Sequence, residues 1–365
     1  MNKMLGLVFF VLPLAGLAYA FWRTWWLLPL GNALKAAVLG AMLLCFLMIF
    51  CYFGGALDKM PVPVASAVYE IGLGSIFVLL YLVLLYGLMD LGRAVHLVPR
   101  SLLFHSLWGS LTVAGVLLLV FGYGYAHYMH KVRQPLALET QKPLERQLKI
   151  LMASDLHAGY LNRRGELDRW VDMMNREHAD LILIGGDIVD GSIRALREDR
   201  AAEALRRLNA PVVACLGNHE YYAGIDSALT FYREAGITLL RDSAVTVNGI
   251  NIIGRDDRSN RRRKPISELK RGLDMSRYTI LLDHQPYHLE QAEQEQVDFQ
   301  FSGHTHYGQM WPISWITNAI YEDAFGHCRR GGTQYYVSSG LGIWGAKFRI
   351  GTRSEYVVAT LKNRE

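Results

Sequence analysis

Long stretches without charge occupy the first third of this 365-residue chain. Residues 1–130 contain nine charged side chains, whereas the whole chain has 38 Lys and Arg and 33 Asp and Glu. A helix needs about 20 apolar residues to cross a bilayer. Four stretches approach or exceed that length, over residues 4–22, 36–57, 71–89 and 101–129. Buried helices of a large soluble core are the alternative, but the polar breaks fall only at the ends of the stretches. Residues 1–130 are therefore predicted to form an all-α transmembrane bundle of about four helices.

The first stretch also has features of a cleavable signal peptide. Lys3 precedes the apolar run, and Ala18-Tyr19-Ala20 could be a cleavage site. Because three further spans follow, we expect an uncleaved anchor. With the N-terminus inside, seven basic residues lie on the cytoplasmic side and four on the other, and the positive-inside rule favours a cytoplasmic C-terminal part. Assigning Lys142, Arg146 and Lys149 to the folded domain makes the counts equal. The prediction is a multi-pass protein of the cell (inner) membrane.

The remaining residues have the composition of an ordinary globular domain. Residues 131–148 are predicted to be a connector or a leading strand, and residues 149–365 the folded domain. Asn248-Gly249 within residues 244–253 is a strong short-range hairpin signal. Strand-like and helix-like segments alternate, which indicates layers of sheet and helix and the α+β class. The predicted strands are 149–154, 181–184, 212–216, 279–282, 299–302, 335–338 and 356–361, and the predicted helices are 164–178, 194–208 and 227–235.

Five short polar motifs each follow an apolar, strand-like run. They are Asp155-Leu156-His157, Gly186-Asp187-Ile188-Val189-Asp190, Gly217-Asn218-His219-Glu220, His284 and Gly303-His304-Thr305-His306. Together they supply carboxylate, amide and imidazole groups, which are ligands for divalent cations. Ligands gather at the carboxyl ends of strands in open α/β sheets. Each motif alone is weak evidence for a metal site, because Asp, Asn and His are common in turns. The five motifs together predict such a site.

The first three motifs suggest different roles for their polar residues. Asp155 and His157 are two positions apart and could reach one ion, since such positions share a face of a strand. A carboxylate at Asp187 could bridge two cations about 3.5–4 Å apart. Asp190 is a better candidate for orienting a histidine. His219 is assigned to the substrate, where it could protonate a leaving oxygen or bind a phosphoryl oxygen, because its neighbour Asn218 occupies the ligand position.

At these motifs the sequence closely resembles the calcineurin-like metallophosphoesterase superfamily, over roughly residues 145–362, and within it the bacterial transmembrane or membrane-associated branch. The resemblance implies a four-layer α/β/β/α fold and two divalent cations, Mn²⁺, Fe²⁺ or Zn²⁺. By matching positions, His219 would contact the phosphoryl group and Asp190 would orient it. The first cation would be held by Asp155, His157, Asp187 and His306, and the second by Asp187, Asn218, His284 and His304.

The expected activity is metal-dependent hydrolysis of a phosphate ester or pyrophosphate by a metal-bridging hydroxide. Membrane lipids are expected partners, and the membrane anchor favours a lipid-linked substrate such as UDP-2,3-diacylglucosamine, which some relatives hydrolyse. The basic run at residues 258–264 could meet anionic headgroups or be a solvated loop. Residues 311–316, with two tryptophans, could enter the interface, but a loop packed on the core is the preferred interpretation. No nucleic acid is expected, because the run lacks aromatic interleaving.

Two other functions remain open at this stage. The domain could be a phosphodiesterase or phosphatase for soluble substrates, with the spans serving only as an anchor. Alternatively, the spans could form a membrane sensor module that the phosphoesterase domain regulates. The near absence of charge within the spans argues against transport.

Overall fold

The structure is a computed structural model that describes the backbone of residues 3–364 and the side chains of residues 13–364. It divides into two compact units, Met1–Tyr125 and Ala126–Glu365. The first unit is helical and the second is a mixed α/β domain. The difference follows the change in charge density along the sequence.

Five α-helices form the N-terminal part. They are α1 (Lys3–Leu27), α2 (Asn32–Leu47), α3 (Ile49–Phe53), α4 (Val62–Ala94) and α5 (Leu107–Met129), and the last of them continues into the second unit. Within the described residues, three helical segments are long and apolar enough to cross a membrane: Asn32–Phe53, Val62–Ala94 and Leu107–Met129. The first predicted span, 4–22, falls in α1, and its side chains up to residue 12 lie outside the described part.

Three of the predicted spans have different limits in the structure, and the span predicted over residues 36–57 lies over Asn32–Phe53. The span predicted from residue 101 begins at Leu107, because Arg100–Leu102 form a 3-10 turn and His105 has a φ of 48°. Proline at position 99 disfavours the helical region for the residue before it and so separates the two helices. Helix α4 extends beyond residues 71–89 at both ends and includes Glu70.

Two six-stranded sheets form the centre of the second unit. The first has the order β1 (Lys131–Thr140), β12 (Ser354–Asn363), β2 (Leu148–Ala153), β3 (Leu181–Ile184), β4 (Val212–Ala214) and β5 (Thr238–Leu239). The second has the order β10 (Gly326–Arg330), β11 (Thr333–Val337), β9 (Phe299–Ser302), β8 (Thr279–Leu282), β7 (Ile250–Gly254) and β6 (Ser243–Val247). Strands β2, β3 and β4 run parallel, as do β7, β8 and β9.

Eight helices accompany these sheets. They are α6 (Arg164–Asn175), α7 (Arg194–Glu198), α8 (Ala201–Leu205), α9 (Asn218–Tyr222), α10 (Ile225–Glu234), α11 (Ile266–Leu269), α12 (Glu290–Gln294) and α13 (Ile313–Ile320). The helix predicted over residues 194–208 is divided into α7 and α8, because Arg200 between them has a φ of 54°. The predicted hairpin joins β6 and β7 through Asn248 and Gly249, both at positive φ.

Alternate residues of the central strands face two different cores. Leu181 and Leu183 of β3 pack between the sheets, whereas Ile182 and Ile184 pack beneath the helical layer that includes α6 and α8. A third core lies between the second sheet and α11 and α12. Side chains of a strand point alternately to opposite faces, so strands buried on both faces read as continuous apolar runs. The four-layer α/β/β/α prediction and the α+β class are confirmed.

Candidate metal centre

The polar motifs lie where the parallel strands end. Asp155 follows β2, Asp187 follows β3, and Asn218 follows β4, while His284 and His304 follow β8 and β9 of the other sheet. The carboxyl ends of both sheets therefore converge on one site. All seven predicted ligands lie there, together with His219 and Asp190.

Five of these residues adopt an uncommon backbone conformation. Asp155, His157, Asp187, His304 and His306 all have φ between 44° and 70°. Residues other than glycine rarely occupy this left-handed region, and such conformations concentrate at functional sites, where the surrounding structure enforces them. The turns aim side chains of successive strands at one point.

Two glycines permit the strand-end loops to approach each other. A Cβ atom at Gly217 would lie 2.1 Å from Asp187 Oδ1, and one at Gly303 would lie 2.3 Å from Asp155 Oδ2. Either distance is shorter than any real contact, so only glycine fits these positions. The glycines of the motifs thus serve close approach of the backbone to the carboxylates.

Asp155, His157 and His306 form the first group of potential ligands. The Nε2 atoms of His157 and His306 are 3.0 Å apart, and both lie within 3.8 Å of Asp155 Oδ1. Asp155 and His157 are almost completely buried. Asp155 also accepts a hydrogen bond from the backbone N–H of His304, which ties this group to the second one.

Asp187, His284 and His304 form the second group, and Asn218 lies beside it. Asp187 Oδ2 is 3.0 Å from His284 Nε2, and Asp187 Oδ1 accepts the backbone N–H of His219. The other ring nitrogen of His284, Nδ1, lies 2.7 Å from the carbonyl oxygen of Gly185, which fixes the ring. The Oδ1 atom of Asn218 is buried and has no hydrogen-bond partner among the described residues.

A third group connects the first two and brings in the residue assigned to the substrate. His157, Asp187 and His219 each offer one ligand atom within 4.8 Å of the others. His219 Nδ1 is 2.9 Å from Asp190 Oδ1, and the same carboxylate oxygen is 3.6 Å from His157 Nδ1. Asp190 therefore lies between two histidines, whereas the sequence analysis expected it to orient a single histidine.

Burial and neighbouring charges shift the pKa values of several groups in the site. Burial alone would lower the pKa of His157, but the carboxylates of Asp155 and Asp190 raise it to about 10. Burial opposes the charge on Asp187 too, yet His284 and His219 hold the pKa of that carboxyl well below its usual value. Burial and the neighbouring charge of His284 lower the pKa of His304 to about 4.

This arrangement fits divalent cations. Three carboxylates, from Asp155, Asp187 and Asp190, are 0–2% exposed and lie close together, which is costly without compensating positive charge. Imidazole nitrogens 3.0 Å apart, carboxylate oxygens and an orphaned amide oxygen are a mixed N/O donor set suited to borderline metals. The residues present therefore fit a divalent metal site.

Glu220 holds the second motif in place, although the sequence suggested no role for it. Its carboxylate is fully buried and accepts the backbone N–H groups of Gly217, Asp187 and Val189, and the hydroxyl of Tyr232. Burial and the charge of Asp187 raise the pKa of Glu220. Its sequence signal is its spacing, since a Glu three residues after the N-cap Gly217 can accept the backbone N–H of that residue.

Asn162 supports the first motif and was also missed. Its buried side-chain amide donates to the carbonyl oxygens of Leu156, His157 and Ile343. The Asn162 Oδ1 atom accepts from Tyr128 Oη at 2.8 Å. No sequence pattern predicts this contact, because its partners are brought together only by the fold.

Arg349 is the third residue that sequence reasoning missed. It is completely buried, and its guanidinium donates to the carbonyl oxygens of His306 and Gly342. Burial lowers its pKa to about 10. A cation held this close to the first ligand group fixes the loop that carries His306.

The two surface features considered from the sequence have different outcomes. The basic run is partly used within the domain: Arg263 pairs with Asp283, and Lys264 pairs with Glu268. The preferred interpretation of residues 311–316 as a loop packed on the core is wrong. These residues lead into α13, which buries Ser314 and Thr317 and exposes Trp315, at 65%, along with Ile316 and Ile320.

Comparisons with known proteins give a consistent result. The family model for calcineurin-like phosphoesterases matches residues 148–308. An uncharacterized metallophosphoesterase of Helicobacter pylori is 33% identical over 250 residues, which cover 66% of this chain and 68% of the relative. One from Aquifex aeolicus is 35% identical over 238 residues, covering 62% of this chain and 90% of the relative. A transmembrane protein with metallophosphoesterase domain from Danio rerio is 28% identical over 324 residues, covering 80% and 72%.

Proposed function

Because this chain belongs to the calcineurin-like metallophosphoesterase family and is a phosphoesterase with membrane-spanning helices, we propose that it hydrolyses a lipid-linked phosphate ester or pyrophosphate with two divalent cations. The observation that supports the two cations is the sharing of ligands. Asp187 belongs to two of the three groups of potential ligands, and His157 also belongs to two. Two neighbouring ions would share the Asp187 carboxylate, whose two oxygens can each bind one ion, whereas the single lone pair of His157 Nε2 would bind the first ion only.

We propose the division of the seven predicted ligands between the two cations that the resemblance implies. The first cation would take Asp155, His157, Asp187 and His306, and the second Asp187, Asn218, His284 and His304. The bound cations would supply Lewis acidity that activates solvent and neutralises charge on the phosphate. Asp187 lies centrally, with His284 Nε2 at 3.0 Å and His157 Nε2 at 3.7 Å from its Oδ2 atom.

His219 is the proposed proton donor to the leaving oxygen. Its Nδ1 atom is engaged by Asp190 at 2.9 Å, which leaves Nε2 for a phosphoryl or leaving oxygen. Asp190 fixes the orientation and tautomer of the ring. The ring also has edge contacts with Tyr222 and Trp344, which limit its rotation.

A second phosphate of a pyrophosphate would be bound by Arg258. Its guanidinium lies 4.0 Å from the ring centroid of Tyr287, and its Nη1 atom is buried without a hydrogen-bond partner among the described residues. Tyr287 packs on Tyr321, whose ring centroid is 6.2 Å from that of His304. This cation therefore belongs to the surroundings of the second group. We expect Arg258→Gln to raise KM for a pyrophosphate more than for a monoester, and exposed Arg261→Gln to raise neither.

Two features support a lipid-linked substrate. The catalytic domain continues directly from a membrane span, since β1 begins two residues after Met129. Helix α13, soon after His306, exposes Trp315, Ile316 and Ile320 to solvent. Tryptophan and isoleucine on one helix face suit the boundary between headgroups and acyl chains. Membrane lipids would thus surround both the substrate and the entrance to the site.

The proposed location is the cell (inner) membrane, with the catalytic domain in the cytoplasm. The distribution of basic residues around the spans supports this orientation. Fusing a fluorescent protein that matures only in the cytoplasm to Glu365 of the full chain tests it. Fluorescent cells are expected, and dark cells with intact fusion protein would reverse the orientation.

Hydrolysis by the full-length, detergent-solubilised protein tests the function. Manganese-loaded protein is assayed against UDP-2,3-diacylglucosamine, other lipid phosphates, cyclic nucleotides and a soluble aryl phosphodiester. Metal content is measured on the same samples, with two ions per chain expected. Asp187→Ala and His219→Ala are the inactive controls.

The outcomes separate three functions. Turnover of one lipid substrate far above that of the aryl ester, lost in both variants, supports the proposal. Turnover of soluble esters alone would reduce the spans to an anchor. If no substrate is hydrolysed although two ions are bound, the result favours a membrane sensor module that the phosphoesterase domain regulates.

A further inference from the structure

A polar cleft lies in the second unit where the last membrane span ends. It has a volume of about 380 Å³, and its wall includes Tyr128, Met129, His130 and Lys131 at the end of α5. Helix α6 forms the opposite wall. None of the proposed ligands or His219 lines this cleft, so it is separate from the metal centre.

The cleft lies at the end of the membrane span along the chain, and this connection places it at the membrane surface. The span Leu107–Met129 ends within the wall itself, and consecutive residues are at most about 3.6 Å apart along an extended chain. Any lipid next to the end of this span therefore has its headgroup within reach of the cleft. A soluble molecule would need no such placement.

The charges of the lining are predominantly positive. Lys131, Arg169 and Arg176 contribute cations, whereas Glu166 is the only acidic residue of the lining. Glu166 is already engaged, since its carboxylate accepts hydrogen bonds from Lys347 at 2.6 Å and from Tyr128 at 2.9 Å. The cleft therefore offers more positive charge than its own acid compensates.

Helix α6 and its C-terminal cap place two of these cations on one face. Arg169 and Arg176 are seven residues apart, which is close to two helical turns, and Met173 lies between them on the same face. Arg169 is 3.7 Å from Glu166 and 62% exposed. The described residues provide no ion pair for the Arg176 side chain. Two cations with an apolar side chain between them present a site for an anion that carries a hydrocarbon part.

Lys131 adds a half-buried basic group to the lining of the cleft. Its ammonium lies 3.4 Å from the ring centroid of Tyr128 and donates to the Tyr128 carbonyl oxygen. Burial lowers the pKa of Lys131 well below its usual value; the Glu166 carboxylate opposes this shift, and the nearby Arg349, Lys347 and Arg169 add to it. A bound anion would offset this repulsion.

We propose that this cleft binds the headgroup of an anionic phospholipid. The phosphate lies against Arg169 and Arg176, and the glycerol and upper acyl carbons lie against Met129, Met173 and Trp170. Tryptophan, basic side chains and the end of a span are together typical of the headgroup region. This site does not depend on the proposed substrate, because it lies outside the metal centre.

Lipid retention by the full-length protein tests the site. The protein is reconstituted in nanodiscs that contain equal amounts of phosphatidylcholine and phosphatidylglycerol. Bound lipids are counted by native mass spectrometry after release from the disc. The variant is Arg169→Gln with Arg176→Gln, and the matched control is Arg197→Gln with Arg206→Gln, exposed arginines that do not line the cleft.

The wild type and the control are expected to retain phosphatidylglycerol in preference to phosphatidylcholine. The cleft variant is expected to lose this preference by about 30-fold, since each cation near the surface contributes about fivefold. Arg169→Lys with Arg176→Lys keeps the charge and should keep most of the preference. Hydrolysis of the aryl phosphodiester remains the measure of an intact metal centre in every variant.

Other results would overturn the proposal. Equal retention of both lipids by the wild type shows that no anionic site exists. Equal loss in the cleft and control variants shows that the preference belongs to the general surface charge. Displacement of phosphatidylglycerol by millimolar inorganic phosphate would assign the cleft to a free anion instead of a lipid.

Discussion

Buried ionisable side chains have different kinds of partner in the two units of this protein. In the first unit, Arg23 is 1% exposed and pairs with Asp90 at 3.2 Å, and Tyr19 donates to the same carboxylate. Lys35 is equally buried and lies 3.0 Å from His105. In the second unit, Asp155 and Asp187 are just as buried but converge with histidines whose nitrogens approach one another.

This difference distinguishes structural charge from functional charge. Buried Arg23 is compensated by its own carboxylate and buried Lys35 has an imidazole acceptor, whereas buried carboxylates grouped around imidazoles are compensated only when further positive charge arrives. Buried polar atoms without a hydrogen-bond partner among the described residues occur in both units, at Arg23 Nε and Nη2 and at Asn218 Oδ1, so they do not make this distinction. Burial alone does not identify a site, but convergence of like ligands does.

The largest expected effect is at the shared carboxylate. Asp187→Asn removes the charge common to two ligand groups, and we expect hydrolysis of the aryl phosphodiester to fall at least about a thousandfold. Metal content, measured by mass spectrometry, should fall with it. Asp298→Asn, which breaks a peripheral pair with Lys142, is the control. Activity within tenfold of the wild type would contradict a central role for Asp187.

The next effect separates orientation from metal binding. Asp190→Asn weakens the hold on His219 Nδ1, and we expect kcat to fall about 10–100-fold with the metal retained. Steady-state kinetics and metal analysis on the same samples check this. Because Asp190 also lies 3.6 Å from His157, parallel loss of metal would mean that it acts mainly on that ligand.

A smaller effect is expected at Tyr128, near the end of helix α5. Tyr128→Phe removes the hydroxyl that donates to Asn162, whose amide holds the His157 carbonyl. We expect the affinity of metal-free protein for Mn²⁺, measured by calorimetry, to weaken about tenfold or less. Tyr125→Phe, on the exposed side of the same helix, should change nothing. Unchanged affinity with lower thermal stability would limit Tyr128 to a structural role.

In the first unit, loss of a carboxylate should affect stability and not hydrolysis. Asp90→Asn leaves buried Arg23 without its charged partner, and we expect the free energy of unfolding to fall by about 1–2 kcal/mol. Denaturation of the detergent-solubilised protein measures it. Turnover of the aryl ester should stay within twofold of the wild type. A large loss of turnover would contradict the assignment of Asp90 to a purely structural role.

The smallest effect is expected at the ion pair between Arg163 and Asp199 in the second unit. Hydrogen bonds from Arg163 lower the pKa of Asp199 below its ordinary value, so the pair stabilises the folded state above that value and loses its effect as pH falls through the lowered pKa. We expect Asp199→Asn to cost about 1 kcal/mol at pH 7 and progressively less as the pH falls through the lowered pKa. A difference that persists in acid would exclude the ion pair as its cause.

Much of the candidate site could be predicted because its residues follow strands. Asp155, Asp187, Asn218, His284 and His304 each come after an apolar run, and parallel strands bring such ends together. Glu220, Asn162 and Arg349 could not be predicted in the same way. Most of their partners are backbone groups of other loops, and apart from the capping-box spacing of Gly217 and Glu220 no spacing in the sequence specifies such contacts.

The sequence by itself determined the elements of the fold and the chemistry of the centre. Apolar runs long enough to span a bilayer, alternation of strand and helix, and the order of the polar motifs are local properties that each segment carries alone. Tertiary structure alone decided the left-handed turns at the ligands, the outward apolar face of α13 and the contact of Tyr128 with Asn162. These depend on which distant segments pack together, because burial and hydrogen bonding are set by neighbours in space.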